Sequence, residues 1–125
     1  IETGELKLFK SYRKEFTHGG HMRDFIYIKD VIKVILFFFD HGDINGIFNV
    51  GSGKARTFLD IGKIIFKVLG KEPVINFEDM PEDVKNSYQY FTQADIQSLR
   101  EAGYKDRLFE LEEGIADYIN NHLEK

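Results

Sequence analysis

Apolar residues mark out short extended stretches and longer helical ones along the chain. Leu6 to Lys10 reads as a strand, and Ser11 to Met22 as a polar loop carrying Gly19-Gly20 and two histidines. Arg23 to Ile28 is a second extended stretch, with Phe25 and Tyr27 on one face and Ile26 and Ile28 on the other. Asp30, its carboxylate suited to the positive end of a helix dipole, then opens a helix to about Asp40. Between Val31 and Phe39 only Lys33 is polar. A helix apolar nearly all round is buried on several sides. Either it is the central core helix, or part of it is covered by protein outside this chain.

Beyond a turn at 41–46, Ile47-Phe48-Asn49-Val50 reads as a buried strand ending at Gly51-Ser52-Gly53. Thr57 and Asp60 form a capping-box pattern for a helix that runs to Leu69, buries Phe58, Ile61, Ile65 and Val68, and stops at Gly70. Pro73 to Phe77 is another short strand and Met80 to Asp83 a loop. Thr92 and Asp95 repeat the capping pattern ahead of a helix to Ala102, closed by Gly103. A last helix, about Glu110 to Leu123, carries Leu111, Ile115, Tyr118 and Ile119 as its apolar stripe. The sum is a small mixed α/β unit with four helices and too few strands for a doubly wound sheet of its own.

Composition narrows the function classes. The 125 residues make one domain or a piece of a larger one, and twelve Phe and six Tyr supply a core. The net charge of −4, with Lys and Arg scattered among acids, is not a nucleic-acid footprint. Without cysteine there are no disulfides or thiolate metal sites. The apolar run Val34 to Phe39 falls far short of the roughly 20 residues that span a bilayer. Ile1 to Glu5 lacks the features of a signal peptide, and the absence of an initiating Met suggests a chain cut from something longer. A soluble cytoplasmic protein is expected.

Gly51-Ser52-Gly53-Lys54 invites a phosphate-loop reading, but Phe48 and Ala55 stand where that pattern needs Gly and Ser or Thr. Arg56 stands where a dinucleotide fingerprint needs its third Gly. The glycines are expected to shape a turn. His18 and His21 lack a third metal ligand and read as solvent-exposed. No metal site is expected.

Two stretches in fixed order carry a resemblance: Arg23-Asp24-Phe25-Ile26-Tyr27-Ile28-Lys29-Asp30-Val31, and Gly46-Ile47-Phe48-Asn49-Val50-Gly51-Ser52-Gly53. With one helix between them, and a capped helix after, they resemble the C-terminal half of extended short-chain dehydrogenase/reductases acting on nucleotide sugars. Tyr88 to Asp95, Leu99, Ala102-Gly103-Tyr104 and Leu8 to Tyr12 resemble the heptose-epimerase branch of that family. The resemblance covers essentially the whole chain and departs in the loop Arg13 to Met22. It implies a small mixed α/β substrate-binding part, residues 1–125, of a Rossmann-type fold whose N-terminal dinucleotide-binding half is absent. It also implies inversion at carbon 6 of an ADP-bound heptose, for lipopolysaccharide core synthesis, through transient oxidation by NADP held in the missing half. The full enzyme is expected to be a homo-oligomer. The family's catalytic Tyr-x-x-x-Lys has no counterpart here, so neither catalytic nor cofactor-binding residues are expected and the isolated chain should be inactive.

The substrate-binding candidates carried over are Phe9, Lys10, Ser11, Tyr12, Arg23 and Tyr88. Arg23 would fork onto diphosphate oxygens; its alternative is an ion pair with Asp30 or another acid. The stretch 9–12 offers an aromatic surface, a cation and a hydroxyl, and reads equally as a strand edge. Tyr88 would pack by its ring and bond by its hydroxyl, or be core. Asp24 and Asn49 read as structural, serving nearby main chain, and Ser52 as turn chemistry that could touch ligand. Another nucleotide-sugar epimerase or dehydratase, or an inert binding module, are the competing readings.

Overall fold

The computed structural model describes residues 4–123, so Ile1 to Thr3 of the segment read for a leader lie outside it. Two small sheets organise the chain. In the first, β1 (Leu6–Phe9) pairs in parallel with β4 (Ile75–Glu78), Leu6 opposite Ile75 and Phe9 opposite Glu78. In the second, β2 (Met22–Asp24) runs antiparallel to β3 (Ala55–Thr57), Arg23 opposite Arg56. Phe91 adds a single parallel bridge to Met22.

A parallel pair needs a crossover, and α2 (Phe58–Val68) supplies it between β3 and β4. Its start is the expected capping box: Asp60 N–H donates to Thr57 Oγ1 at 2.9 Å, and Thr57 N–H donates to the Asp60 carboxylate at 3.1 Å. Gly70 ends the helix at φ +64°. The helix turns Gly62, Ile64 and Phe66 into the protein, whereas Phe58, Ile61, Ile65 and Val68 are only half-buried. Gly62 allows close approach, since a Cβ there would lie 2.6 Å from Leu6 Cδ2.

The segment 47–50 is not a buried strand. Ile47 is 98% exposed, Asn49 is exposed too, and no ladder forms. Its apolar side chains call for burial, but a strand also needs an edge to pair with, and 47–50 pairs with no described strand. The helix α1 (Ile28–Asp40) begins earlier than expected, capped by the backbone of Tyr27 without a side-chain bond. Asp30 turns its carboxylate inward, fully buried, to accept from Phe109 N–H at 2.8 Å. One side of α1 meets Leu99, Tyr104 and Leu108 through Val34 and Phe37. The other side leaves Ile28, Ile32, Ile35, Leu36 and Phe39 open, Phe39 at 84% exposure. Within this chain α1 is therefore not a central core helix. An apolar stripe of this length drives association. The chain is expected to self-associate at about 100 µM in sedimentation, and Leu36→Glu with Phe39→Lys to return it to monomer. A monomeric wild-type chain at that concentration contradicts this.

After a short turn α3 (Glu82–Lys85), the helix α4 (Gln97–Glu101) starts four residues later than its capping pattern suggested. Thr92 N–H is tied to Met22 O at 3.1 Å, and Asp95 accepts from Gln97 N–H at 2.9 Å. The last helix, α5 (Leu111–Tyr118), opens with a reciprocal Glu110–Glu113 box and widens into a π turn over Ile119–Leu123. Ile119 is buried, while Tyr118 is exposed.

Asp117 on α5 fastens the start of α1. It accepts from Lys29 Nζ at 2.5 Å, from Tyr27 Oη, and from Asn121 Nδ2 at 2.9 Å. Lys29 first, then Tyr27, hold its carboxyl down at about 2. A depressed carboxylate pKa contributes stability above its unfolded value that is lost as pH falls through the folded one. The thermal midpoint should therefore drop between about pH 4 and pH 2, and Asp117→Asn should remove that portion of the acid loss. An unchanged acid profile in the variant would count against the clasp.

Candidate functional site

Among the six candidates, the structure brings Phe9, Arg23 and Tyr88 into one stack. β1 delivers Phe9, β2 delivers Arg23, and the irregular segment 86–92 lays Tyr88 between them. The Tyr88 ring meets Phe9 edge-on at 6.0 Å, and the Arg23 Cζ stands 5.3 Å from its centroid. Phe58 closes the other side of the guanidinium at 6.0 Å. Arg23 Nη1 donates to Met22 O at 2.8 Å and Nη2 donates to Gln89 O.

These carbonyls fix the plane of the guanidinium without neutralising it. A guanidinium carries five N–H donors in a rigid fork; those not given to the carbonyls have no partner among the described residues. Among the described residues the alternative ion pair does not form. Asp30 serves Phe109, and Asp24 is fully engaged elsewhere. What results is a fixed cation against an aromatic wall, an arrangement able to hold an anionic oxygen in a defined direction.

Lys10, Ser11 and Tyr12 form a separate cluster. Lys10 Nζ lies 3.2 Å from the Asp79 carboxylate and Tyr12 Oη donates to it at 2.6 Å. These contacts, Tyr12 first, hold Asp79 below the ordinary carboxylate range, and Asp79 pushes the Tyr12 phenol up. Lys85 Nζ covers the Tyr12 ring at 4.1 Å. Ser11 N–H donates to His18 Nδ1 at 2.9 Å, and its hydroxyl donates to Arg13 O at 3.0 Å. Tyr90 links this cluster to the stack: its hydroxyl accepts from Tyr12 N–H at 3.1 Å and its ring stands 6.0 Å from Tyr88.

His21, expected at the surface, is buried at 1% exposure between Tyr88 and Tyr90. Sequence reasoning also passed over Tyr90 and Asp79. For His21 and Tyr90 a signal was present: His21 sits two residues before Arg23, which in extended chain is the same face, and Tyr90 repeats Tyr88 at that spacing; Asp79, 67 residues from Tyr12, had none.

The Gly51-Ser52-Gly53 turn has another task. Asp24 accepts from Ser52 N–H at 2.6 Å, Ser52 Oγ at 2.6 Å, Gly53 N–H at 2.9 Å and Ala94 N–H at 3.0 Å. The amides a phosphate would use are thus taken by a carboxylate, and Lys54 pairs with Glu110 at 2.6 Å. Asp24 is structural as expected; Asn49, exposed, is not seen to serve main chain.

A groove of about 540 Å³ lies away from this stack, between α2, α5 and the segment 25–28, lined by Ile61, Ile65, Leu111 and Ile115 among others. Open and almost wholly apolar, it suits packing against protein better than holding a diphosphate. No described helix is long and apolar enough to cross a membrane.

Comparison with known proteins gives the class. The NAD dependent epimerase/dehydratase family matches residues 4–51. The chain superposes on the UDP-glucuronic acid 4-epimerase of Bacillus cereus, solved with UDP-4-deoxy-4-fluoro-glucuronic acid and NAD, with a TM-score of 0.71 and 26% identity, covering 95% of this chain and 36% of that one. This mixed α/β fold is the one found in extended short-chain dehydrogenase/reductases, and residues 4–51 carry the match to the epimerase/dehydratase family. Within it, the chain is 43% identical to the ADP-L-glycero-D-manno-heptose-6-epimerase of Nitratidesulfovibrio vulgaris (strain DP4), over 98% of this chain and 38% of the relative. The enzyme of the same name from Helicobacter pylori superposes with a TM-score of 0.74 and 30% identity, over 94% of this chain and 33% of that one. The chain thus spans well under half the length of the curated relatives it matches.

Proposed function

We propose that residues 1–125 are the substrate-binding part of an ADP-L-glycero-D-manno-heptose 6-epimerase, serving lipopolysaccharide core synthesis in the cytoplasm as part of a homo-oligomer. The observation that carries this reading is the carbonyl-fixed, carboxylate-free guanidinium of Arg23 against Tyr88. In it, Arg23 grips the diphosphate, Phe9 and Tyr88 flank the nucleotide sugar, and Lys10, Ser11 and Tyr12 border the pocket. The relatives' 43% identity over nearly the whole chain supports the heptose assignment.

The described residues do not fit a dinucleotide. The one glycine turn that resembled such a loop is filled by Asp24, and no Tyr-x-x-x-Lys pair is present. Redox chemistry is assigned to NADP held by protein outside this chain, so the chain alone is inactive. Its own task is to bind and orient: the fork sets the diphosphate and the aromatic wall limits how the sugar turns.

Because Arg23 would read the diphosphate that all nucleotide sugars share, a different nucleotide-sugar epimerase or dehydratase is the second reading. Calorimetric titration separates the two. ADP-glucose is expected to bind at about 1 mM, UDP-glucose more weakly, and NADP not at all. Equal affinity for the two sugars favours the second reading. Tyr88→Phe, titrated with both sugars, shows whether the hydroxyl takes part in that discrimination.

A further inference from the structure

His21 is not absorbed by the function above. Its imidazole is 1% exposed, and among the described residues its Nε2 has no hydrogen-bond partner. A buried polar atom left unpaired is uncommon and calls for an explanation. The ring stands 5.0 Å from Tyr88 at 76° and 4.7 Å from Tyr90 at 56°. Tyr88 is thereby held from behind by His21 and at its edge by Phe9, while Arg23 lies against its ring. The backbone of His21 is fixed too, since its carbonyl accepts from Phe58 N–H at 3.1 Å, and Phe58 is the second ring beside the guanidinium.

We infer that His21 is a positioning residue, whose ring sets the orientation of Tyr88 and through it the aromatic wall beside Arg23. The inference rests on the substrate-binding reading only in its consequence for affinity; the packing it concerns exists without ligand. The charged and titratable groups facing the imidazole are Arg23 on β2, His18 in the preceding loop, and Tyr88 and Tyr90 in the segment behind it. Burial first, then Arg23 and His18, push the His21 pKa below its ordinary value. The ring is therefore uncharged at neutral pH and adds no second cation behind Arg23. Protonation would place a charge between two aromatic rings and beside a guanidinium, and disturb that packing.

The test uses the full chain with Leu36→Glu and Phe39→Lys, carrying tyrosines labelled in the ring, with Tyr88 assigned by its loss in Tyr88→Phe. The Tyr88 ring signals are expected to move with the titration of His21, at a midpoint below about 6.5, and to stop titrating in His21→Phe. His21→Ala should shift those signals at neutral pH and raise the Kd for ADP-glucose about tenfold. His21→Phe, which keeps a ring in place, should stay within about twofold of the parent. Tyr88 signals indifferent to the His21 titration, or an unchanged Kd in His21→Ala, would overturn the inference. If the parent chain binds no ADP-glucose, the proposed function fails while the ring titration still decides the role of His21.

Discussion

Replacing Asp24 with Ala is expected to destabilise the chain by about 3 kcal/mol, the largest single effect on stability in the molecule. One carboxylate accepts from three backbone N–H groups, of Ser52, Gly53 and Ala94, and from the Ser52 hydroxyl. It thus ties β2 to the turn ahead of β3 and to the segment that follows Tyr90. Bonds to a charged acceptor are worth more than neutral ones, and removing the acceptor leaves three backbone N–H donors unpaired, while the Ser52 hydroxyl keeps Lys54 O. Asp24→Asn should recover only part of the loss, because its NH₂ group would face an N–H. The junction has no slack: a Cβ on Gly51 would lie 2.5 Å from Ala94 Cβ and 2.8 Å from the Asp24 carboxylate. Gly51→Ala should cost about 1–3 kcal/mol by overpacking. Urea unfolding reads both, and an Asp24→Ala unfolding free energy within about 0.5 kcal/mol of wild type would dismiss the tie.

Loss of Arg23 should act on binding before it acts on the fold. Arg23→Ala is expected to weaken ADP-glucose binding by about 10- to 100-fold, as removal of a charged hydrogen-bonding group does. Arg23→Lys should restore only a fraction. An ammonium presents a point charge, and it cannot satisfy Met22 O and Gln89 O while offering a planar fork to phosphate. The same titration repeated after confirming the urea midpoint separates a lost contact from a lost fold. Equal affinity in Arg23→Ala would remove Arg23 from the site.

How far the sequence foretold this depends on the range of the interactions involved. β1, β4, α2 and α5 were legible because their signals are local: apolar spacing, the Thr57–Asp60 box, Gly70 at positive φ. The second capping pattern misled for an equally physical reason. Thr92 spends its N–H on Met22, and Asp95 forms a local turn with Gln97, so α4 waits until that turn is complete. Residues 47–50 carry the apolar content of a buried strand, but pairing is non-local, and no described edge receives them. The all-round apolar pattern of α1 left two readings open, a central core helix or one covered from outside this chain, and its exposed outer stripe rules out the first.

The site was legible only through resemblance. Arg23 meets Gln89 across 66 residues of chain, a distance no periodicity spans. Its company with Tyr88 and Phe9 follows from the segment after Asn86 returning to β2, where Phe91 bridges Met22, which local pattern does not reveal. His21 was hidden by its polar, glycine-rich neighbourhood, which suggests exposure; Tyr88 and Tyr90, closing over it from far along the chain, make it one of the most buried side chains present. Lys10 and Tyr12 were carried over from the resemblance, and the structure turns the ammonium and the hydroxyl toward Asp79.

The account turns on whether the guanidinium at position 23 takes hold of the diphosphate. The direct measurement is the arginine side-chain ¹⁵N spectrum of the chain as ADP-glucose is added, with the Arg23 signal assigned by its absence in Arg23→Lys. The Arg23 Nε resonance should shift in proportion to ligand bound, with those of Arg56 and Arg107 still, because both are already paired with carboxylates, of Glu112 and Glu113. A saturating titration that moves the other arginines and leaves Arg23 where it began would contradict the account.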